Sequence, residues 1–233
     1  MLKTLSSHIR GLADLFFPRF CLGCGERLSV DEQLVCPSCT GKLFRLRLDW
    51  KDNFRLEPWF AILPVDRVVG FTLFKHGGLA ATLVHQLKYR SHPDLGRWMG
   101  RLAASELTVT GAFEGVDMLV PIPLTRRRFR QRGYNQAEQI ALGISAVTGI
   151  PVRTDVLKRV VNRESQTRLD REQRMANAAG VFVLADAASL PGRHVMLVDD
   201  VMTTGTTMDS AILQLKDVPD IRISVFAWAW TME

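Results

Sequence analysis

The run Val195-Met196-Leu197-Val198-Asp199-Asp200-Val201-Met202-Thr203-Thr204-Gly205-Thr206-Thr207 decides the fold. Val195–Val198 is unbroken apolar sequence, the pattern of a central strand buried on both faces of a parallel sheet. Two adjacent carboxylates follow at the C-terminal edge of that strand, where open α/β sheets bind ligands. Four threonines and a glycine then open a helix, predicted from the stripe Met208, Ala211, Ile212 and Leu215. Amides at a helix N-terminus attract an anion, threonine hydroxyls add donors, and Gly205 lets the backbone approach closely. A phosphate fits this cradle. Asp199 and Asp200 have nothing near them in sequence to neutralise them, and the vicinal hydroxyls of a sugar would satisfy both. Phosphate beside diol acceptors describes a ribose 5-phosphate. A Walker-type acidic strand is disfavoured because no G-x-x-x-x-G-K-[ST] occurs in the chain. A response-regulator acidic pair would follow the first strand. A plain helix cap explains one threonine or aspartate, but not two acids, four threonines and a glycine together.

Upstream, strands alternate with helices. Arg67–Lys75 reads as a strand; Leu79, Leu83, Val84 and Leu87 as a helix reaching Tyr89; Leu95, Trp98, Met99, Leu102 and Ala103 as another. Val116–Ile122 is a strand, and Ala137, Ile140, Ala141, Ile144 and Val147 make a third helical stripe with Gly149 just past its end. Gly180–Leu184, His194–Val201 and Ile221–Trp228 complete the strands. This alternation predicts an α/β fold, a mostly parallel sheet flanked by helices on both faces. With 233 residues, the chain has room for one sizeable core and a small appendage.

Leu2, Leu5, Ile9, Leu12 and Phe16 predict an amphipathic N-terminal helix ended by Pro18. Ser6, Ser7, His8, Arg10 and Asp14 interrupt any signal-peptide core, and no apolar run approaches the ~20 residues of a membrane span. With 47% hydrophobic and 23% charged residues, the chain has the profile of a globular protein, and a cytoplasmic location is expected.

The net charge is +6, and the excess is concentrated. Arg126, Arg127, Arg128, Arg130 and Arg132 fall together without an acid, directly after Val120-Pro121-Ile122-Pro123. Guanidinium forks pair well with phosphate oxygens, so Arg126, Arg130 and Arg132 are candidates for a pyrophosphate, with Gly133 and Asn135 turning into the next helix. A nucleic-acid patch is the alternative reading of the same run, and both can hold. Phe129 and Tyr134 are the only rings near it, too few for a general single-strand platform. Lys88, at the end of a helical stripe, is a further anion candidate. The polar stretch Arg163–Asn177 reads as a hood over the site.

All four cysteines lie in two C-x-x-C knuckles, Cys21/Cys24 and Cys36/Cys39, separated by eleven residues. Each knuckle aims two thiolates at one point, and two of them supply a tetrahedral S₄ site suited to structural zinc. A disulfide pair conflicts with a reducing compartment, and a redox C-x-x-C conflicts with the duplication.

The Asp199–Thr207 segment resembles the phosphoribosyl pyrophosphate (PRPP) motif of type I phosphoribosyltransferases. Together with the knuckles, Lys88-Tyr89-Arg90, Val120–Pro123, Arg130–Gln136 and the stretch Gln166–Asn177, nearly the whole chain resembles the ComF family, phosphoribosyltransferase-like competence and DNA-utilisation proteins. Asp217–Asp220 and Phe226–Glu233 match that pattern less well. The resemblance implies a type I phosphoribosyltransferase-like domain over residues 67–233, preceded by an N-terminal helix and zinc-ribbon region over residues 1–66. It implies transfer of phosphoribosyl from PRPP, as its Mg²⁺ complex, to an unidentified acceptor. Asp199 and Asp200 would be the catalytic pair on the ribose, and Thr203, Thr204, Gly205, Thr206 and Thr207 would hold the 5-phosphate. Lys88, Arg126, Arg130 and Arg132 would complete PRPP binding. The competing class is a non-catalytic module that handles single-stranded DNA with a competence helicase-like partner.

Overall fold

The computed structural model describes residues 17–46, 65–160 and 181–231. The expected N-terminal helix, most of the segment joining the cysteines to residue 67, and the hood stretch Arg163–Asn177 lie outside the described residues. In chain order the elements are helix α1 (Pro37–Lys42), strand β1 (Arg67–Leu73), helices α2 (Leu79–Tyr89) and α3 (Pro93–Leu107), β2 (Met118–Pro121), α4 (Arg126–Arg132), α5 (Gln136–Thr148), β3 (Leu157–Arg159), β4 (Phe182–Leu184), β5 (His194–Met202), α6 (Thr206–Leu215) and β6 (Arg222–Trp230).

Four strands form one sheet in the order β1-β6-β5-β2, and every neighbouring pair is parallel. The apolar run read as a central strand is β5, between β6 and β2. Its side chains alternate between two layers, as the pleat requires. Met196 and Val198 join Phe226 and Trp228 in a core shared with α2, α3 and α5. Val195 and Leu197 join Val225 and Ala227 in a second core, shared with α6 and the separate antiparallel pair β3–β4. Burying each such large side chain stabilises the fold by roughly 1.5–3 kcal/mol before chain entropy is subtracted. Helix α5, which follows β2 and α4, therefore lies on one face of the sheet, and α6, which follows β5, on the other. Adjacent strands whose chains leave in opposite directions open a crevice at their C-terminal ends, the usual ligand site of such sheets.

Gly100 on α3 and Gly143 on α5 set how tightly that face packs. A Cβ on Gly100 would lie 2.0 Å from the Ile140 carbonyl oxygen, and one on Gly143 2.3 Å from that of Arg97. The two helices meet backbone to backbone, which fixes the N-terminus of α5 beside the crevice.

The cysteine region adjoins the same core. Residues 44–46 run antiparallel along β1, bridged at Arg45 and Thr72, with the Leu46 amide donating to the Phe71 carbonyl at 3.0 Å. Cys21, Leu28, Val35, Cys39 and Leu43 belong to one apolar cluster with Phe71, Leu83 and Leu87. Arg45 lies over the Phe71 ring and pairs with Glu106 at 2.7 Å.

At the N-terminal end of the central strand, His194 is buried at the start of β5. Its Nδ1 lies 3.1 Å from the Gly115 carbonyl, which can only accept, so Nδ1 carries the hydrogen and Nε2 accepts from the Ser224 hydroxyl at 2.7 Å. Burial, with the nearby Arg222 and Arg67 charges, lowers the affinity of His194 for a second proton; Asp66 and the Gly115 carbonyl oppose this. A histidine whose folded pKa lies below its unfolded value contributes stability that is complete above the unfolded value of ~6.5 and is lost below it, as the pH falls through the folded pKa. His194→Gln keeps a donor and an acceptor but cannot be protonated. Urea unfolding at pH 7.5 and pH 5.5 should show a smaller acid-side loss of stability in this variant than in the parent. An equal loss in both would remove His194 as the titrating group.

Candidate functional site

A pocket of about 300 Å³ occupies the crevice between β2 and β5. Its chemistry comes from three stretches that parallel strands bring to one edge: Phe74 after β1, Ile122–Ala137 after β2, and Asp199–Thr207 at the end of β5. Lys88 and Arg159 enter from the sides.

Asp199 and Asp200 are consecutive on a strand, so their side chains leave on opposite sides of it. Asp200 is 6% exposed and forms an ion pair with Lys88, whose Nζ lies 2.9 Å from Oδ1. The sequence offered these acids no neighbouring counterion; α2 delivers one from the other side of the core. Asp199 accepts the Asp200 amide at 2.8 Å. Burial, and then the charge of Asp200, push the Asp199 carboxyl up to about 7, while Lys88 and Arg159 pull the other way. Near neutral pH Asp199 is thus poised between proton donor and acceptor.

The threonine segment turns at Gly205, whose φ of 73° is left-handed and suits glycine. No side chain caps the first turn of α6, so its amides remain available to a ligand. The hydroxyls of Thr204 and Thr206 lie 3.1 Å apart, and Thr203 and Thr207 line the pocket.

The arginine run folds as the short helix α4, capped by the Thr125 hydroxyl, which accepts the Arg128 amide, and ended by left-handed Gly133. Four residues apart, Arg128 and Arg132 share one helical face and line the pocket. Arg126 and Arg130 are exposed and are not among the lining residues. Arg132 donates to Gln136 Oε1 at 2.6 Å and lies 5.6 Å over the Tyr89 ring. Asn135 closes the loop, accepting the Ala137 amide and donating to the Ile122 carbonyl at 2.9 Å. Arg159, which sequence reasoning missed, reaches the pocket from β3 after crossing the Phe182 ring. Burial and the charge of Arg128 disfavour its ionised form, and Asp199 favours it. Arg128 was missed as well; the i, i+4 spacing to Arg132 is the signal that could have found it.

In the cysteine region, the four sulfurs lie within 4.8 Å of one another. Cys21 and Cys39 are buried, and Cys24 is exposed. Burial raises the Cys21 thiol, but the amides of Cys36, Cys24 and Gly23 bonded to its sulfur outweigh it and bring it to about 7. Burial and the neighbouring sulfurs push Cys39 up. Four thiols this close, with amides already aimed at sulfur, form a donor set for a thiophilic metal ion such as zinc.

Residues 124–224 match the family model described as phosphoribosyl transferase domain. The chain is 31% identical over 223 residues to competence protein F of Haemophilus influenzae, spanning 93% of each chain. It is 30% identical over 205 residues to DNA utilization protein YhgH of Salmonella typhi, covering 83% of this chain and 89% of that one. The corresponding Escherichia coli K12 protein is 27% identical over 191 residues, with 81% and 80% covered. Among the described residues, no helix is long and apolar enough to cross a membrane. With nearly its whole length matched to these relatives, the chain belongs to the ComF family of phosphoribosyltransferase-like proteins.

Proposed function

We propose that the pocket binds PRPP and transfers its phosphoribosyl group to an acceptor, in the context of DNA uptake or utilisation. The observation that carries this reading is the chemistry gathered in one pocket: threonines at the uncapped start of α6, two carboxylates, and the arginines Arg128, Arg132 and Arg159. Thr203, Thr204, Gly205, Thr206 and Thr207 hold the 5-phosphate. Asp199 and Asp200 accept from the ribose hydroxyls. Arg128, Arg132 and Arg159 face the pyrophosphate, whose charge the accompanying Mg²⁺ partly offsets. The bond from C1 to pyrophosphate oxygen breaks with its electron pair leaving on pyrophosphate, and the acceptor bonds to C1. Charge develops at C1 beside the carboxylates and on the leaving group beside the arginines, so positioning and electrostatics supply the catalysis without a protein nucleophile.

A second reading rests on the outer face of α4. There Arg126, Arg127 and Arg130 are exposed around Phe129, itself 48% exposed, and no described carboxylate pairs with them. Such a face suits the backbone of single-stranded DNA, in keeping with relatives named for competence and DNA utilization, and a helicase-like partner would supply the strand. The two faces of one short helix separate the readings. Arg128→Ala should weaken PRPP by about 1.5–3 kcal/mol, the worth of a charge-assisted hydrogen bond, and leave DNA binding largely intact. Arg126→Ala with Arg130→Ala should do the reverse and reduce the salt dependence of DNA binding. Titrations of both ligands at two salt concentrations decide between them; if the outer pair costs PRPP as much as Arg128 does, the pyrophosphate lies elsewhere.

For the acidic pair, Asp199→Asn with Asp200→Asn should lower PRPP affinity by ~1.5–3 kcal/mol for each charge-assisted hydrogen bond to a ribose hydroxyl that the substitutions remove. Inorganic phosphate should bind as well or better, because the substitutions remove negative charge from beside its cradle and free Lys88 from its carboxylate partner. Calorimetry with both ligands tests this, and parental PRPP affinity in the double variant would sink the assignment of the ribose.

We also propose one structural Zn²⁺ on Cys21, Cys24, Cys36 and Cys39, in a protein kept in the reducing cytoplasm. Elemental analysis should return one zinc per chain, and Cys36→Ser should lose most of it. Because the knuckles share a core with β1 and α2, the variant should also melt at a lower temperature. Metal-free parent protein with unchanged melting would overturn the site.

A further inference from the structure

Helix α2 touches both the cysteine region and the pocket, and nothing in the chemistry above uses it as a whole. Its last turn makes three different contacts with the site. The Leu87 carbonyl accepts the hydroxyl of Tyr134, directly beyond the arginine helix. Lys88 holds Asp200 at 2.9 Å. The exposed ring of Tyr89 lies under the Arg132 guanidinium. At its other end, α2 begins at Gly78 with no side-chain cap, so a helix cap does not fix its start. Packing does. A Cβ on Gly23, inside the first knuckle, would lie 2.7 Å from Leu79 Cδ1 and 3.0 Å from Cys39 Sγ, so Leu79 rests directly on the knuckle backbone. Between the ends, Leu83 and Leu87 are fully buried in the cluster that also holds Cys21 and Cys39. Eleven residues at ~1.5 Å each make a rod of about 16 Å.

We infer that α2 is a strut through which the cysteine region positions the pocket, with Leu79 and Tyr134 as positioning residues at its two ends. The inference rests on the phosphoribosyl reading for its ligand and on α2 alone for its mechanics. A shift of the knuckle moves Leu79, the rod carries the shift, and its last turn moves Arg132 through Tyr134 and Tyr89, and Asp200 through Lys88. The threonine cradle is tied instead to itself, between Thr204 and Thr206, and to Thr231 beyond β6, whose hydroxyl reaches the Met202 and Thr203 carbonyls. The effect therefore falls on the diphosphate end of the pocket and spares the phosphate end. The cysteine region thereby sets how well the pocket takes a diphosphate without touching it.

The test uses the full chain, with inorganic pyrophosphate and inorganic phosphate as calorimetric probes. Tyr134→Phe removes one hydroxyl and should weaken pyrophosphate by roughly two- to tenfold, the worth of one hydrogen bond. Leu79→Ala, about 12 Å from Leu87 by the helix rise, should produce the same selective loss. Both variants should bind inorganic phosphate like the parent. Hydrogen exchange of the amides of residues 126–137 reads the strut without any ligand and should quicken in Leu79→Ala. Parental exchange there, or equal losses for both anions, would overturn the strut. A parent that binds neither anion, while Leu79→Ala still quickens exchange in residues 126–137, would instead overturn the phosphoribosyl reading and leave the strut standing.

Discussion

Two adjacent carboxylates at the end of a strand buried on both faces are unstable unless something takes up their charge, and much of this structure is arranged around that constraint. Pleating sends the two acids to opposite sides of β5, so they meet different environments. Asp200 turns toward the layer of α2, α3 and α5 and receives Lys88. Asp199 turns toward the other layer, where the charge of Arg159 acts on it and burial already favours its protonated form. One acid is neutralised by a salt bridge, and burial brings the other to about 7, where it is only partly charged near neutral pH. That division lets the strand keep an apolar run up to its last turn and still present two acceptors to a ligand.

The parallel sheet does the rest of the assembly. Because all four strands point the same way, the loops after β1, β2 and β5 gather at one edge. Because the chain leaves β2 and β5 toward opposite faces, these loops part and leave space between them. The close glycine contact of α3 with α5 then holds the N-terminus of α5, and with it Asn135 and the foot of the arginine loop, at a fixed distance from β5.

Legibility in the sequence followed the range over which each interaction acts. Asp199–Thr207 was readable because its chemistry is contiguous and its strand and helix carry clean periodicity. α2, α3, α5 and α6 were readable from apolar stripes, and the cysteine cluster from spacing alone. α4 was not, because a helix of arginines has no apolar stripe; only its Thr125 cap and Gly133 terminator mark it, and both also suit a loop. Arg128, though exposed, lines the pocket because of its place on that helix, so it was hidden with it. Arg159 sits on a three-residue strand whose partner, β4, lies beyond a long intervening segment. The Lys88–Asp200 pair joins residues far apart in sequence, and only the fold reveals that the acids have a counterion.

The distribution of charge argues for what kind of ligand the pocket suits. Lys88 is matched by Asp200, and Arg159 faces Asp199. Arg128 and Arg132 have no described carboxylate at ion-pair distance; Arg132 rests on a ring and an amide oxygen, both neutral. At the far end, the first-turn amides of α6 are uncapped and so present another excess of donors. Unmatched donors on α4 and α6, with carboxylates lining the same pocket, suit a ligand that is anionic and also carries hydroxyls. Inorganic phosphate or a sugar monophosphate leaves one end unmatched. A strand of nucleic acid offers charge at regular intervals along an open path, which suits the outer face of α4 better than a crevice of about 300 Å³. On the phosphoribosyl reading proposed above, a pentose carrying a phosphate and a diphosphate would use the amides of α6, the carboxylates and the arginines together, and loss of the diphosphate on transfer would free the arginines.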